Sequence, residues 1–227
     1  MINIAVDGYA GSGKGELCRG LAKKLNLKHL DTGAILRAMG LYFDRLGIND
    51  FTQAIIDKYI KTFEVKVEFE GDKQITLLNR QDVSKEIRTE RIGGLASKIA
   101  RYPEAMEKMN SISRTFAENY DCIMDGRNIT SEVLPNADVK FFLDAKIECR
   151  ANRRLQDDFR RGIETTYDEV LASLQKRDYS DTHREFSKMV VTHDSIVVDN
   201  TNMTIPQTIE YCYNLAVQKL TELGKLQ

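Results

Sequence analysis

The strongest constraint in this chain is Gly8-Tyr9-Ala10-Gly11-Ser12-Gly13-Lys14-Gly15-Glu16, lodged between a strand pattern and a helix pattern. Met1 to Asp7 carries Ile2, Ile4, Ala5 and Val6 almost without interruption, as a short buried strand does. After Lys14, Leu17, Leu21, Ala22 and Leu25 recur at helical spacing. Glycines let a backbone take positive φ and approach an anion closely, so successive N–H groups can wrap it. The helix N-terminus adds unpaired donors and partial positive charge. The spacing from Gly8 through Gly13 to Lys14 fits a phosphate-binding P-loop, with Lys14 reaching the β- and γ-phosphates. A turn that merely joins strand to helix is the alternative; strand, spacing, lysine and helix together favour phosphate. One position departs from the pattern. The hydroxyl residue that usually follows the lysine and ligates magnesium is Gly15, and the next residue is Glu16. A carboxylate suits a helix N-terminus but repels a triphosphate unless magnesium lies between them, so Glu16 is predicted to point to solvent.

At 227 residues the chain is long enough for one large domain or a core with an insertion. Its net charge of −1 excludes a broad electrostatic footprint for nucleic acid, and no apolar run approaches a membrane span. The first residues read as strand rather than signal peptide. Cys18, Cys122, Cys149 and Cys212 are scattered without a CxxC pairing, which predicts reduced thiols in a cytoplasmic protein. His29, His183 and His193 are too dispersed to suggest a metal site.

Along the chain, Leu27–Gly33 reads as a strand ending in turn residues, and Ala34–Leu46 as a helix. Val65 to Glu70 alternates strictly and turns at Gly71-Asp72 into Gln74–Leu78, a solvated hairpin that predicts an insertion beside the core. Arg91–Arg101 and Glu104–Asn119 read as helices broken at Pro103. Asp121–Arg127, Asp138–Asp144 and Ser195–Asp199 read as further strands. Lys146–Arg161, Tyr167–Arg177 and Ile205–Leu223 read as helices. Short apolar strands alternating with helices imply a parallel α/β sheet, with ligands outside the C-terminal strand ends.

Phosphoryl transfer needs aligned oxygens and neutralised charge more than covalent help, and a planar guanidinium grips phosphate through paired hydrogen bonds. Arg37 and Arg127 follow sheet ends, Arg150, Arg153, Arg154, Arg160 and Arg161 share one segment, and Arg177 and Arg184 come after it. Arg153 with Asp157 and Arg154 with Asp158 are spaced for pairing on a solvated helix face. Beside a P-loop, a mobile arginine-bearing lid explains the segment better, and an RNA-binding face lacks interleaved aromatics.

These motifs resemble bacterial cytidylate kinases along nearly the whole chain. Asp31-Thr32-Gly33-Ala34-Ile35-Leu36-Arg37 is similar to that family's DTGAxYR, and Asp82–Thr89 to its DVSxxIRT. Asp125-Gly126-Arg127-Asn128-Ile129, running on to Asp138, is similar to DGRDIGTVVLPxAD. Arg150–Arg154 resembles the start of the lid, and Arg177–Arg184 the RDxxDxxR motif. The resemblance implies a three-layer P-loop NTPase fold with a parallel sheet, an α+β nucleotide-binding insertion (about 33–119) and a short helical lid (about 149–163). The core would take about 1–32, 120–148 and 164–227 of a single domain. It implies ATP plus CMP or dCMP giving ADP plus CDP or dCDP, with magnesium, in a monomer. The loop residues Gly8 to Glu16, with Arg150 and Arg154, would bind ATP. Lys14, Arg127, Arg153 and Arg177 would act on the transferring group. Thr32, Arg37, Ser97, Arg127, Asn128, Asp181 and Arg184 would hold the acceptor.

The chain departs from the family at Leu36, which replaces a tyrosine, and at Met106, where many members carry an arginine contacting CMP. Asn128 replaces the aspartate that helps define the cytosine pocket. The last two changes remove opposite charges, so they read as coupled, and Asn128 still donates and accepts hydrogen bonds. A lost charge-assisted contact costs about 1.5–3 kcal/mol, which predicts weaker CMP binding or a shifted base preference rather than total loss. A non-catalytic nucleotide-binding homologue is the rival of a different class; a GTPase switch has no NKxD-type motif to support it. With no P-loop hydroxyl, magnesium falls to phosphates, water or other carboxylates, and no direct side-chain ligand is predicted.

Overall fold

The computed structural model describes residues 1–226. The chain runs β1 (Asn3–Gly8), α1 (Lys14–Leu25), β2 (Lys28–Asp31), α2 (Thr32–Arg45), α3 (Gln53–Tyr59), β3 (Val65–Glu70), β4 (Lys73–Leu78) and β5 (Gln81–Asp82). It continues through α4 (Glu90–Ile99), α5 (Pro103–Asn119), β6 (Cys122–Asp125), a single π turn (Ile129–Val133), β7 (Val139–Asp144), α6 (Ile147–Arg160), α7 (Tyr167–His183), β8 (Ile196–Asp199) and α8 (Ile205–Glu222). Five strands form an all-parallel sheet in the order β2-β6-β1-β7-β8, and β3-β4-β5 form a separate antiparallel sheet. This is the three-layer α/β fold of P-loop proteins.

Alternation along β1 builds the two faces of the core. Ile4 and Val6 pack with Leu17, Leu21, Cys212 and Ala216 of α1 and α8. Ala5, between them, faces the larger cluster of Ile35, Met39, Phe43, Ile99, Met109 and Phe116 from α2, α4 and α5. Gly40 lets α2 approach α4 so closely that a Cβ would lie 3.2 Å from the Ile92 carbonyl oxygen. The four cysteines are unpaired, and three are buried. No helix of the described residues is long and apolar enough to cross a membrane.

Two elements differ from the sequence reading. The helix expected to stop at Arg177 runs on to His183, started by a reciprocal Thr166–Glu169 capping box. That extension puts Arg177, Asp181 and the approach to Arg184 on one rigid element. Helix α3 was unforeseen; seven residues carry too little periodicity to read, and Thr52 caps it.

The parallel sheet brings five strand ends to one edge, and a buried carboxylate locks two of them together. Asp7 is 0% exposed and accepts from the backbone N–H groups of Ile129 (3.0 Å) and Thr130 (2.8 Å) and from Thr130 Oγ1 (2.6 Å). The end of β1 thereby holds the turn that follows β6. Asp7→Ala orphans these donors and is expected to lower stability by about 3–5 kcal/mol in urea melts, whereas Thr130→Val costs about 1 kcal/mol. Equal losses in the two variants would contradict this role.

Candidate active site

The loop after β1 has the geometry its glycines suggest. Gly8, Gly11 and Gly13 take φ of 146°, 76° and 94°, and a Cβ on Gly8 would collide with the Leu143 carbonyl oxygen of the neighbouring strand. Lys14 opens α1 and is buried. Its Nζ folds back to donate to the carbonyls of Gly8 and Tyr9, both at 2.7 Å. Burial, then the nearby Arg127 guanidinium, push its pKa well below that of a free lysine, partly offset by Asp125. Glu16 lies on the solvent side of α1, paired with Arg19. Gly15 has room for a side chain, since a Cβ there would meet only Arg19 Nη1 at 3.6 Å.

The arginine segment divides in a way its sequence does not reveal. Arg150 is buried and spends its donors inside the protein, on Ala145 O (2.9 Å), Ala10 O (3.0 Å) and Asp178 (2.6 Å), while its guanidinium lies over the Tyr9 ring. Arg153 turns to Asn200 Oδ1 (3.0 Å) and to the Asn200 and Met203 carbonyls, not to Asp157. Asn200 Nδ2 in turn donates to Ser12 O at 2.9 Å. Two of these arginines therefore brace the phosphate loop from α6. Arg154 does pair with Asp158, at 3.0 Å, and stays half-exposed. Asp157 pairs with Arg160.

Opposite the loop, cations crowd together. Arg127 donates from Nε to Asp181 at 2.6 Å and is charge-coupled to Lys14 and Arg177. Repulsion from Arg127 brings the half-exposed Arg177 down to about 10. Burial lowers Arg184 as well. Burial alone would raise Asp181; Arg127 and Arg177 outweigh it and hold it below the ordinary carboxylate range. Arg37 Nη1 and Arg184 Nε and Nη2 are buried with no hydrogen-bond partner. Such donors are costly to leave unmade, so the cluster is built for an anion.

Thr32 Oγ1 donates to Asp125 O at 2.8 Å. Asp31 caps α2 through Ala34 N (3.0 Å) and meets Arg88 at 2.8 Å and Arg37 at 3.6 Å. Ser97 is exposed on α4 and its hydroxyl returns to Gly93 O at 3.1 Å, whereas Met106 and Asn128 are buried. No described hydrogen bond joins Ser97 to Asn128.

Sequence reasoning did not single out Asp125. It ends β6 beside the loop strand, half-buried, and hydrogen-bonds His29 Nε2 at 2.7 Å. Cys18 completes a group of three potential ligand atoms lying within 4.8 Å of one another. Wide spacing in sequence hid this grouping, which adjacent strands and α1 bring together. Glu132, Asn110 and Asn200 were also unforeseen, because nothing local distinguishes them from other polar residues.

Asp31 supplies a pH test. Burial would raise its pKa, but Arg37, Arg88 and His29 outweigh that and take it to about 2. A lowered folded-state pKa adds stability above the unfolded value and loses it as pH falls through the folded one. In urea melts the wild type is expected to exceed Asp31→Asn by about 2 kcal/mol at pH 6, a gap that narrows below pH 4 and closes near 2. A gap independent of pH would contradict the ion pairs.

The cytidylate kinase family model matches residues 4–218. A cytidylate kinase of Fusobacterium nucleatum is 40% identical over 210 residues, covering 92% of this chain and 94% of that protein. One of Caldicellulosiruptor saccharolyticus is 37% identical over 209 residues (92% of each chain), and one of Vibrio vulnificus 36% over 219 (96% and 97%). Among solved structures, an uncharacterized protein from Eubacterium ventriosum superposes with a TM-score of 0.54 at 13% identity, covering 96% of this chain and 99% of that one. That likeness concerns the fold alone. Motifs, strand order and full-length similarity agree: the chain belongs to the cytidylate kinase family.

Proposed function

We propose that the chain transfers the γ-phosphoryl group of ATP to CMP or dCMP, giving ADP and CDP or dCDP, as a cytoplasmic monomer. The observation that carries this reading is that Arg37 Nη1 and Arg184 Nε and Nη2, in the cation cluster near Lys14, are buried without a hydrogen-bond partner. The loop amides from Gly8 to Glu16 bind the donor phosphates, and Lys14 exchanges its two backbone carbonyls for phosphate oxygens. Anion binding then restores the favourable surroundings that burial and Arg127 deny the ammonium.

Arg37 and Arg184 grip the acceptor phosphate, with Thr32 beside it and Asp181 holding the Arg127 fork in place. Arg127 and Arg177 neutralise charge on the group in flight. Arg153 and Arg150 act from behind the loop, keeping its amides aimed, and the half-exposed Arg154 exchanges Asp158 for phosphate. Residues 33–119 contribute Arg37 to that acceptor grip, and 149–163 form the closing lid.

Magnesium bound with ATP would neutralise phosphate charge during transfer. The residues fit that group without the P-loop hydroxyl. Asp125 offers a carboxylate oxygen, the donor type this cation takes, close enough to Lys14 to influence its charge. His29 orients that carboxylate, and Glu16, turned away toward Arg19, leaves the phosphates unopposed.

ADP formation is to be measured with CMP, dCMP, UMP and AMP. Turnover with CMP or dCMP is expected, and none with any of the four would overturn the reading. Lys14→Ala is expected to lower kcat roughly a hundred- to a thousandfold. Glu16→Thr should keep or raise the rate, and a large loss there would mean that the carboxylate itself takes part.

A further inference from the structure

The acceptor pocket lacks the family's charges at 106 and 128, yet polar groups have gathered beside both positions. Asn110 lies one helical turn beyond Met106 on α5, and both are 2% exposed. Glu132 lies four residues beyond Asn128, in the π turn. Their side chains meet. Asn128 Nδ2 donates to Asn110 Oδ1 (3.1 Å) and to Glu132 Oε2 (2.9 Å), and Asn110 Nδ2 reaches the same carboxylate oxygen at 3.3 Å. Ser187 Oγ donates to it at 2.6 Å, from a backbone held at φ 49°, a region that residues other than glycine rarely enter. Asn110, Glu132 and Ser187, with Glu107 and Glu185, line a cavity of about 370 Å³, a size that suits a small ligand.

This network decides which end of the Asn128 amide is on offer. A carboxylate only accepts, so the amide must turn its nitrogen toward Glu132. Both amide hydrogens are then consumed, one by Glu132 and one by Asn110. What remains is the carbonyl oxygen, the same acceptor chemistry that an aspartate at 128 would present. Among the described residues no hydrogen bond reaches Asn128 Oδ1 or Glu132 Oε1. Glu107 and Glu185 add negative charge to the cavity wall. Asn128 is 1% exposed and meets this cavity through Asn110 and Glu132, which line it, so the acceptors gathered there favour a base edge that donates. Cytosine carries an exocyclic amino donor where uracil carries a carbonyl oxygen, so the wall bonds the first and repels the second.

We infer that Glu132 is a specificity-determining positioning residue. With Asn110 it locks the Asn128 amide carbonyl-first, so that the pocket takes a 4-amino pyrimidine nucleotide and rejects the 4-oxo one. The inference rests on the reading of this site as a pyrimidine monophosphate pocket. It makes the losses at 106 and 128 a displacement of polar groups by four residues on each element, with the base preference kept.

The test compares CMP and UMP on the full chain, by calorimetry without ATP and by kcat and KM with ATP. Glu132→Gln keeps the shape but can donate, which frees Asn128 to turn its own amide nitrogen outward. The wild type is expected to bind CMP at least tenfold more tightly than UMP. Glu132→Gln should lower that ratio at least tenfold, chiefly through KM. Adding Asn128→Asp to Glu132→Gln should restore it, an outcome that a merely structural role for Glu132 does not produce. An unchanged ratio in Glu132→Gln, a failed rescue, or equal binding of CMP and UMP by the wild type overturns the inference. If Glu132→Gln does not fold, Asn110→Leu removes the second acceptor, and an unchanged ratio there overturns it equally. Discrimination in binding without phosphoryl transfer would count against the kinase reading alone.

Discussion

The buried Asp7 carboxylate is the contact on which the site's geometry most depends. It sits one residue before the phosphate loop and holds two successive backbone N–H groups and a hydroxyl of the turn after β6. Burial raises its pKa, and those three hydrogen bonds pull in the opposite direction. A carboxylate in that position is expensive unless fully satisfied, so it tolerates only one placement of its partners. Because that segment also carries Arg127, Asn128 and Glu132, one side chain relates the glycine loop to the arginine cluster and to the proposed base pocket.

Around this fixed frame the electrostatics are deliberately unfavourable in the absence of an anion. Arg127 and Arg177 repel each other, Arg184 is desolvated, and Lys14 turns its charge onto backbone carbonyls. The cost of assembling these groups is met by the rest of the fold, through two apolar clusters on either face of the sheet. A bound anion would relieve that repulsion, and groups already assembled need not be brought together anew when it arrives. The same reasoning separates the arginines of α6. Those satisfied by Asn200, Asp178 and loop carbonyls are braces, whereas Arg154 and Arg160 pair only with aspartates of their own helix.

Much of this was legible in the sequence, for local reasons. A glycine loop between strand and helix, alternation in Val65 to Glu70, and apolar strands separated by helices each report on neighbours close in the chain. The strand order was not legible, because pairing β1 with β6 and β7 joins residues more than a hundred positions apart. The lid segment shows the limit sharply. Two Arg–Asp pairs have equivalent spacing, yet only Arg154–Asp158 forms, because Arg153 is claimed by Asn200 from a distant loop. His29 and Asp125 are likewise unremarkable in sequence and become partners only when β2 pairs with β6.

The proposed base pocket shows why a substitution read one position at a time misleads. Met106 and Asn128 register as two charges lost, and weaker or altered base recognition is the natural expectation. In space, however, a helix returns to the same face after four residues, and the π turn brings Glu132 back onto Asn128. A group four positions away is then a closer substitute than any residue between. The chemistry that discriminates bases belongs to the set of donors and acceptors facing the cavity, not to the identity of one residue. Asn128, which can present either end of its amide, has no preference by itself; it acquires one from Asn110 and Glu132. On that proposal, loss of charge at one position and gain of a polar partner one turn away form a single physical change, visible only when both elements are seen together.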